Sequence, residues 1–520
     1  MITLIAASPI LSLLIWLPVL GAAIIFMTGD ATEASARSVR WVAFWTSIIE
    51  LILAAGLLVA FNARHRGFQF VEKLSWLPQA GVSYHLGVDG ISLLFVVMSA
   101  LLTPIVIVAS WHEQRRVRAY MAAFLLLEAL TIGMFESLDF MLFYVFFEGV
   151  LLPMYLIIGV WGGPNRVRAA VRFFLFTLAG SLPMLLALVW MWHHAGTTDM
   201  VTLMQTPIPP AAQDWLFLAF LLAFGVKAAV WPMHSWLPDA YGEAPVAGTV
   251  MLAAVLSKMG SYGFLRFSLP MLPQATAYFA PMMLVLGVIA VIYLSFAAFA
   301  QTDMKRMIAY SSAAHMGLIV VGIFTLTVEG IEGALFQMIS HGLVIAALFL
   351  CVGVLLARGQ SRLLEHLGGL AVRMPVFATF LMIFVLANVG LPGTSGFVGE
   401  LLILAGAIKV NFWLALFAGS GMVLSVMYML VLVRRVLFDQ SRSSVALAPP
   451  DIAAGEWLML APLAVLVLVL GIYPDALTVP FDRAVQGLVQ QTGGVAAIKA
   501  SLHGHGPVNV HRTMVAMVSR

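Results

Sequence analysis

Apolar runs of about 20 residues, separated by short polar breaks, repeat along the chain as far as residue 473. Runs of that length are what an α-helix needs to cross a hydrocarbon layer roughly 30 Å thick. The pattern predicts about fourteen spans, at 3–27, 39–61, 88–109, 118–136, 138–160, 169–192, 214–232, 246–265, 277–300, 304–326, 332–357, 375–408, 411–433 and 454–473. The expected fold class is an all-α polytopic membrane protein. Two spans are interrupted. In the seventh, Pro232 follows Lys227 and leaves the carbonyl of Ala228 without a helical partner. The twelfth is too long for one straight span and is cut by GLPGTSG, where Pro392 does the same to Asn388. Broken backbone at membrane depth is tolerated only where protein or a water-lined space covers it. The breaks lie five spans apart, an odd number, so spans 4–8 and 9–13 form two five-helix units of opposite direction. Paired broken helices in inverted halves are the best sequence pointer to an ion site. The chain then divides into 1–117, 118–268 (first repeat), 269–437 (second repeat) and 438–520. The tail from Pro474 to Arg520 is expected to hold a short interfacial helix and loose ends.

Charge sets the orientation. Loops after odd-numbered spans carry Arg37, Arg40, Arg115, Arg116, Arg118, Arg166, Arg168, Lys305, Arg306, Arg358, Arg362, Arg373, Arg434, Arg435 and Arg442. Loops after even-numbered spans carry only Arg64, Arg66, Lys73, Arg266 and Lys409. The basic set belongs on the cytoplasmic side, which puts both termini in the periplasm of a bacterium and the chain in its inner membrane. The first apolar run lacks a basic leader and a small-residue cleavage site, so it reads as a retained span. Composition agrees: 62% of the 520 residues are hydrophobic, 10% are charged and the mean hydropathy is +1.01. The formal charge of +3 is spread over many loops and implies no nucleic-acid partner; the lipid bilayer is the expected surroundings. The single cysteine, Cys351, excludes an intrachain disulfide or an iron–sulfur site.

Against so apolar a background, the central ionisable residues are Glu128, Glu148, Lys227, Lys258, His315, His341 and Glu400. A lysine at mid-bilayer costs at least ~2.5–3.5 kcal/mol on insertion scales, so Lys227 and Lys258 are candidates for ion transfer. Glu148, in FYVFFEGVLLP, is the expected charge partner of Lys227; a static buried ion pair is the alternative. His315 and His341 suit a proton relay near neutral pH, with Ser311, Ser312, Gln337 and Ser340 as neighbours for bridging water. Glu400 follows the second break and is a candidate terminal acceptor, or else a cap on the second half-helix. Glu128, Asp239 and Glu243 are further candidates, the last two as groups at a cytoplasmic inlet.

FYVFFEGVLLPMYLIIGVWGG (Phe143 to Gly163), WLPDAYGEAPVAGTVMLAAVLSKMGSYGFLRFSLP (Trp236 to Pro270), MKRMIAYSSAAHMG (Met304 to Gly317) and ANVGLPGTSGFVGE (Ala387 to Glu400) stand out as motifs. Through them the chain resembles the antiporter-like membrane-arm subunits of NADH:quinone oxidoreductase (respiratory complex I), on the branch of subunit M and mitochondrial subunit 4. The resemblance implies a proton-translocating subunit driven by redox chemistry elsewhere in the complex. It implies a Glu148–Lys227 charge pair, Lys258 as the connecting lysine, His315 and His341 on a central hydrophilic axis, and Glu400 as exit carboxylate. Partners would be the other membrane-arm subunits, sister antiporter-like chains included. FMN, iron–sulfur clusters and quinone would belong to partner subunits, with no cofactor or metal in this chain. The alternative is a subunit of a multisubunit Na⁺/H⁺ antiporter; Glu400, where those chains usually carry lysine, favours complex I. The chain departs from the family pattern in reading Lys227-Ala228-Ala229 at the first break and Tyr241 where a histidine is usual.

Overall fold

In hydrocarbon nothing but the chain itself accepts backbone N–H and C=O groups, so each apolar run closes its hydrogen bonds as helix. A computed structural model describes residues 9–28, 33–65, 67–440 and 450–502. Its main helices, in order, are α1 (Ile10–Met27), α2 (Glu33–Ala60), α3 (Gly90–Ala109), α4 (Val117–Glu136), α5 (Phe140–Trp161), α6 (Arg166–Ala195), α7 (Pro210–Lys227), α8 (Leu237–Glu243) and α9 (246–271). They continue with α10 (Pro273–Phe299), α11 (Met304–Phe324), α12 (Val328–Ala357), α13 (Pro375–Asn388), α14 (Ser395–Val410), α15 (Phe412–Phe438), α16 (Ala454–Ile472), α17 (Asp475–Thr492) and α18 (Gly494–Leu502). Among the described residues, eleven helices are long and apolar enough to cross a membrane. The expected spans missing from the eleven are 214–232, 246–265 and 375–408, and each is interrupted. α7 stops at Lys227, α9 contains two π-turns (Leu252–Leu256 and Phe264–Ser268), and the third is split into α13 and α14. These three hold Lys227, Lys258 and Glu400. Arg442, the chain ends and the tail beyond 502 lie outside the described residues.

α11 and α12 are almost wholly buried, whereas α1, α2, α15 and α16 turn broad apolar sides outward. Large side chains such as Trp45 on α2, Val423 on α15 and Val465 on α16 stand exposed there, as expected of a lipid-facing surface. Without a hydrophobic drive between helices, close approach comes from small residues. A Cβ on Gly333 would meet the Ile403 backbone N at 2.5 Å, and one on Gly406 would meet Gly330 Cα at 2.6 Å, so α12 and α14 lie almost backbone to backbone. The described part of the tail, as far as Leu502, is helical in α17 and α18. α17 buries Leu477, Phe481, Val485 and Leu488, one helical stripe, against α3 and α12.

The connection between α2 and α3 holds an element the sequence reading passed over, an antiparallel hairpin of β1 (Gln69–Leu77) and β2 (Val82–Val88). Its alternation is weak in β1, where most side chains are exposed, and that hid it. Asp139 and Asp199 fasten the hairpin to the helix ends. Asp199 Oδ2 lies 2.7 Å from Lys73 Nζ and 2.9 Å from His85 Nδ1, a pair facing each other across the strands. Burial pushes the Asp199 carboxyl up, but the hydrogen bonds from His85 and Lys73 outweigh it and hold the group well below the usual carboxylate range. A depressed folded-state value adds stability above the unfolded pKa of about 3.9 and loses it as pH falls through the folded one. Asp199→Asn is therefore expected to loosen the hairpin by roughly 1–3 kcal/mol at neutral pH. Faster amide exchange over 69–88 would report this; wild-type protection at pH 7 would show that the carboxylate does not fasten it.

Candidate functional site: a buried lysine–histidine–carboxylate chain

α7 ends at Lys227, earlier than a proline at 232 requires. The N–H of Val230 bonds to the carbonyl of Gly225 (2.8 Å) and that of Ala229 to Val226 (3.2 Å), with Ala229 at φ +55°. This is a Schellman closure, with Ala229 in the left-handed position where glycine is usual. The break is therefore made at Ala229, and Pro232 lies beyond it. α13 ends in the same turn: Leu391 N–H bonds to Leu386 (3.0 Å) and Gly390 N–H to Ala387 (3.3 Å), with Gly390 at φ +71°. By position in the turn, Lys227 matches Asn388, and Glu400 approaches the second break from the half-helix beyond it.

Lys227 is buried, with Nζ donating to the carbonyl of Phe147 (3.4 Å) and sitting 4.6 Å from the centroid of the Phe147 ring. Glu148 is the next residue, yet its carboxylate is not bonded to the ammonium, and neither oxygen has a partner among the described residues. The expected charge pair is thus a near-neighbour pair without contact.

Lys258 lies between the two π-turns of α9, a distortion common at functional positions. Its Nζ donates to the carbonyl of Ala253, five residues back (2.7 Å), and approaches Ser257 Oγ at 3.3 Å. It also lies 2.7 Å from His341 Nδ1 on α12. Gly342 brings α12 this close, since a Cβ there would stand 3.2 Å from the Ala254 carbonyl. The rings of His341 and His315 are 5.5 Å apart, and His315 Nδ1 is 3.4 Å from Glu400 Oε1. Glu400 Oε2 fills the space where a Cβ of Gly390 would be, 2.5 Å away. Lys258, His341, His315 and Glu400 thus form one buried series across α9, α12, α11 and α14. Ser311 is engaged by Tyr428 Oη (2.9 Å) and Ser340 by Ser395 (2.7 Å), while Ser312 Oγ and Gln337 Oε1 are buried without partners among the described residues.

The remaining candidates lie elsewhere. Glu128 is buried on α4 and faces Thr103, apart from this series. Asp239 is ion-paired to Arg172 and to Arg306 (3.0 Å). Glu243 accepts the Asn165 N–H (2.9 Å) and lies 3.8 Å from Arg362. Both line a pocket of about 310 Å³ with Arg168 and Pro238. Two residues assigned to loops are buried. Lys305 donates to the carbonyl of Ala244 (2.5 Å), and Arg266 makes a bidentate pair with Asp89 (2.8 and 2.6 Å). Each sits at the end of an apolar run, where spacing does not reveal which way a side chain turns. Among the described residues, no three His, Cys, Asp or Glu side chains are grouped to hold a metal ion.

Residues 137–427 match the membrane family described as NADH:quinone oxidoreductase/Mrp antiporter. Over 92% of its length the chain is 48% identical to NADH-quinone oxidoreductase subunit M of Rhodobacter capsulatus, covering 96% of that protein. It is 45% identical to NADH-ubiquinone oxidoreductase chain 4 of Marchantia polymorpha, with 92% and 97% covered. The chain belongs to the subunit M family of NADH:quinone oxidoreductase. A chain of respiratory complex I from Thermus thermophilus superposes with a TM-score of 0.83 at 32% identity, over 92% of this chain and 99% of that one. A chain of the Mrp complex from Dietzia sp. DQ12-45-1b, at 22% identity and a TM-score of 0.81, shares the fold (94% and 99% covered). The family match contains both broken helices and the whole Lys258–Glu400 series; the subunit M relatives extend the likeness over most of the remaining chain.

Proposed function

We propose that this chain carries protons across the membrane arm of NADH:quinone oxidoreductase along the Lys227, Lys258, His341, His315 and Glu400 path, gated by Glu148. The observation that carries this reading is the buried series of neighbouring ionisable side chains from Lys258 to Glu400. Imidazoles between a lysine and a carboxyl give a proton acceptors and donors at each step. Lys227 and Glu148 act as a switch: approach of the carboxylate favours the charged lysine, and separation releases its proton to Lys258. Glu400 is the last acceptor. Glu243 and Asp239 serve the inlet pocket, and Glu128 has no step in this path. No redox step belongs to this chain; FMN, iron–sulfur clusters and quinone are the partners' equipment.

The rest of the reading follows from the same frame. The spans number fourteen, with the stretches 118–268 and 269–437 as inverted five-helix repeats between 1–117 and 438–520. The shared backbone hydrogen-bond pattern of the closures after Lys227 and Asn388 supports this symmetry. The membrane is the inner membrane of a bacterium, with the Arg-rich loops in the cytoplasm and both termini in the periplasm. Partners are the other membrane-arm subunits, the sister antiporter-like chains among them. A Na⁺/H⁺ antiporter role is less supported, since the likeness to an Mrp complex is one of fold.

Lys227→Ala tests the path. In membrane vesicles, the NADH-driven ΔpH, normalised to assembled complex, is expected to fall strongly. An undiminished ΔpH at normal complex content removes this lysine from the path.

A further inference from the structure

Three carboxyl groups outside that path stand in similar isolation. Glu50 on α2 and Glu128 and Glu136 on α4 are fully buried, and neither oxygen of any of them has a hydrogen-bond partner among the described residues. Glu50 lies within electrostatic reach of both the others. Glu128 and Glu136 are two turns apart on α4, about 12 Å of rise, and α2, which carries Glu50, packs against α4. Beyond Glu136 the series continues in hydroxyls. Tyr84 of β2 lies near Glu136, and its Oη is 3.0 Å from Ser12 Oγ. Ser12 Oγ donates to Glu72, which stands half-buried on the hairpin and also accepts the N–H of Leu11 (2.9 Å).

Buried polar groups that merely hold a fold together are hydrogen-bonded, and those that are not call for an explanation. A buried carboxyl used as glue would be replaced at little cost by an apolar side chain of its shape. Ionisable residues at membrane depth are expensive and mark proton and ion pathways. We propose that Glu128, Glu50 and Glu136 form a second proton-conducting column, which opens through Tyr84, Ser12 and Glu72 at the hairpin surface. In each step one carboxyl oxygen gives up a proton as the next group takes one, with no electrons moved. The column shares no residue with the Lys227–Glu400 path and does not rest on it.

The test uses the intact complex in liposomes. Infrared difference spectra read the carbonyl band of protonated buried carboxyls after a step from H₂O to D₂O on the hairpin side. Glu50→Gln and Glu136→Gln are each expected to remove part of the exchanging band and to lower the protons moved per NADH oxidised, with Glu50→Asp restoring part of both. Tyr84→Phe keeps the ring and loses only the hydroxyl at the mouth, so it remains informative should a Gln variant fail to assemble. It is expected to keep the band and slow its exchange. Wild-type exchange in Tyr84→Phe overturns the column. So do wild-type protons per NADH in an assembled Glu136→Gln complex. Either result leaves the lysine–histidine path standing, because that path is judged by Lys227→Ala.

Discussion

Glu400→Gln is expected to leave the complex assembled and to stop proton transfer through this subunit. The substitution keeps the size of the side chain, and the space against Gly390 still accepts it. What it removes is the ability to take a proton from His315 and lose it again. His315 Nδ1 and Glu400 Oε1 stand 3.4 Å apart, beyond the ~2.6–3.2 Å at which protons pass between heavy atoms. A few tenths of an ångström of closure would bring the two atoms within that range. A general acid–base step is worth on the order of 10²–10⁴ in rate. Removing it should bring NADH-driven ΔpH, per assembled complex, down to background. Glu400→Lys, which restores a group that can cycle a proton, should recover part of it. If the glutamine variant assembles and pumps like wild type, Glu400 is a helix cap and protons leave by another residue.

The second large effect is expected at Lys258. Its ammonium faces three groups at once, the Ala253 carbonyl, Ser257 Oγ and His341 Nδ1. Lys258→Met keeps the stem and removes the amine. Apolar replacement of a buried charge is often tolerated by the fold, so the helices should still assemble. The link from Lys227 to His341 is then lost, and pumping is expected to fall below about a tenth of wild type, a barrier increase of at least ~1.4 kcal/mol. His341→Ala should add little further loss in the Lys258→Met background, because both remove the same contact. Additive losses in the double variant would mean that the two residues serve separate routes.

Much of this site was legible because a charge in an apolar run has no competing explanation in composition. Lys227, Lys258, His315, His341 and Glu400 all stand out in this way, and the structure brings the last four into one buried series. Glu50 carried the same signal, ten residues before the end of α2, and was passed over because that helix opens with a charged segment. Glu136 closes its helix, and Arg266 and Lys305 lie near the ends of theirs, where sequence position does not separate a buried group from a loop. The first break falls beside Lys227 as expected, but its cause is not the proline. Proline is a visible helix breaker, but the observed closure is a backbone turn that any residue tolerating φ > 0 permits, and Ala229 gives no such warning. The hairpin escaped because only β2 is buried enough to impose a pattern.

At their left-handed position the two closures differ by one methyl group, Ala229 against Gly390. Ala229 keeps its Cβ in a left-handed position, at a cost of roughly 1–2 kcal/mol relative to glycine. That methyl occupies the spot where, at the other closure, the absent side chain of Gly390 makes room for an incoming carboxylate. The first closure is thus plugged and the second is a keyhole. At the first turn the ionisable group, Lys227, sits on the helix that the turn closes. The keyhole admits a group from the facing half-helix, and Glu400 is the key. The halves are therefore not interchangeable, whatever symmetry their backbones share.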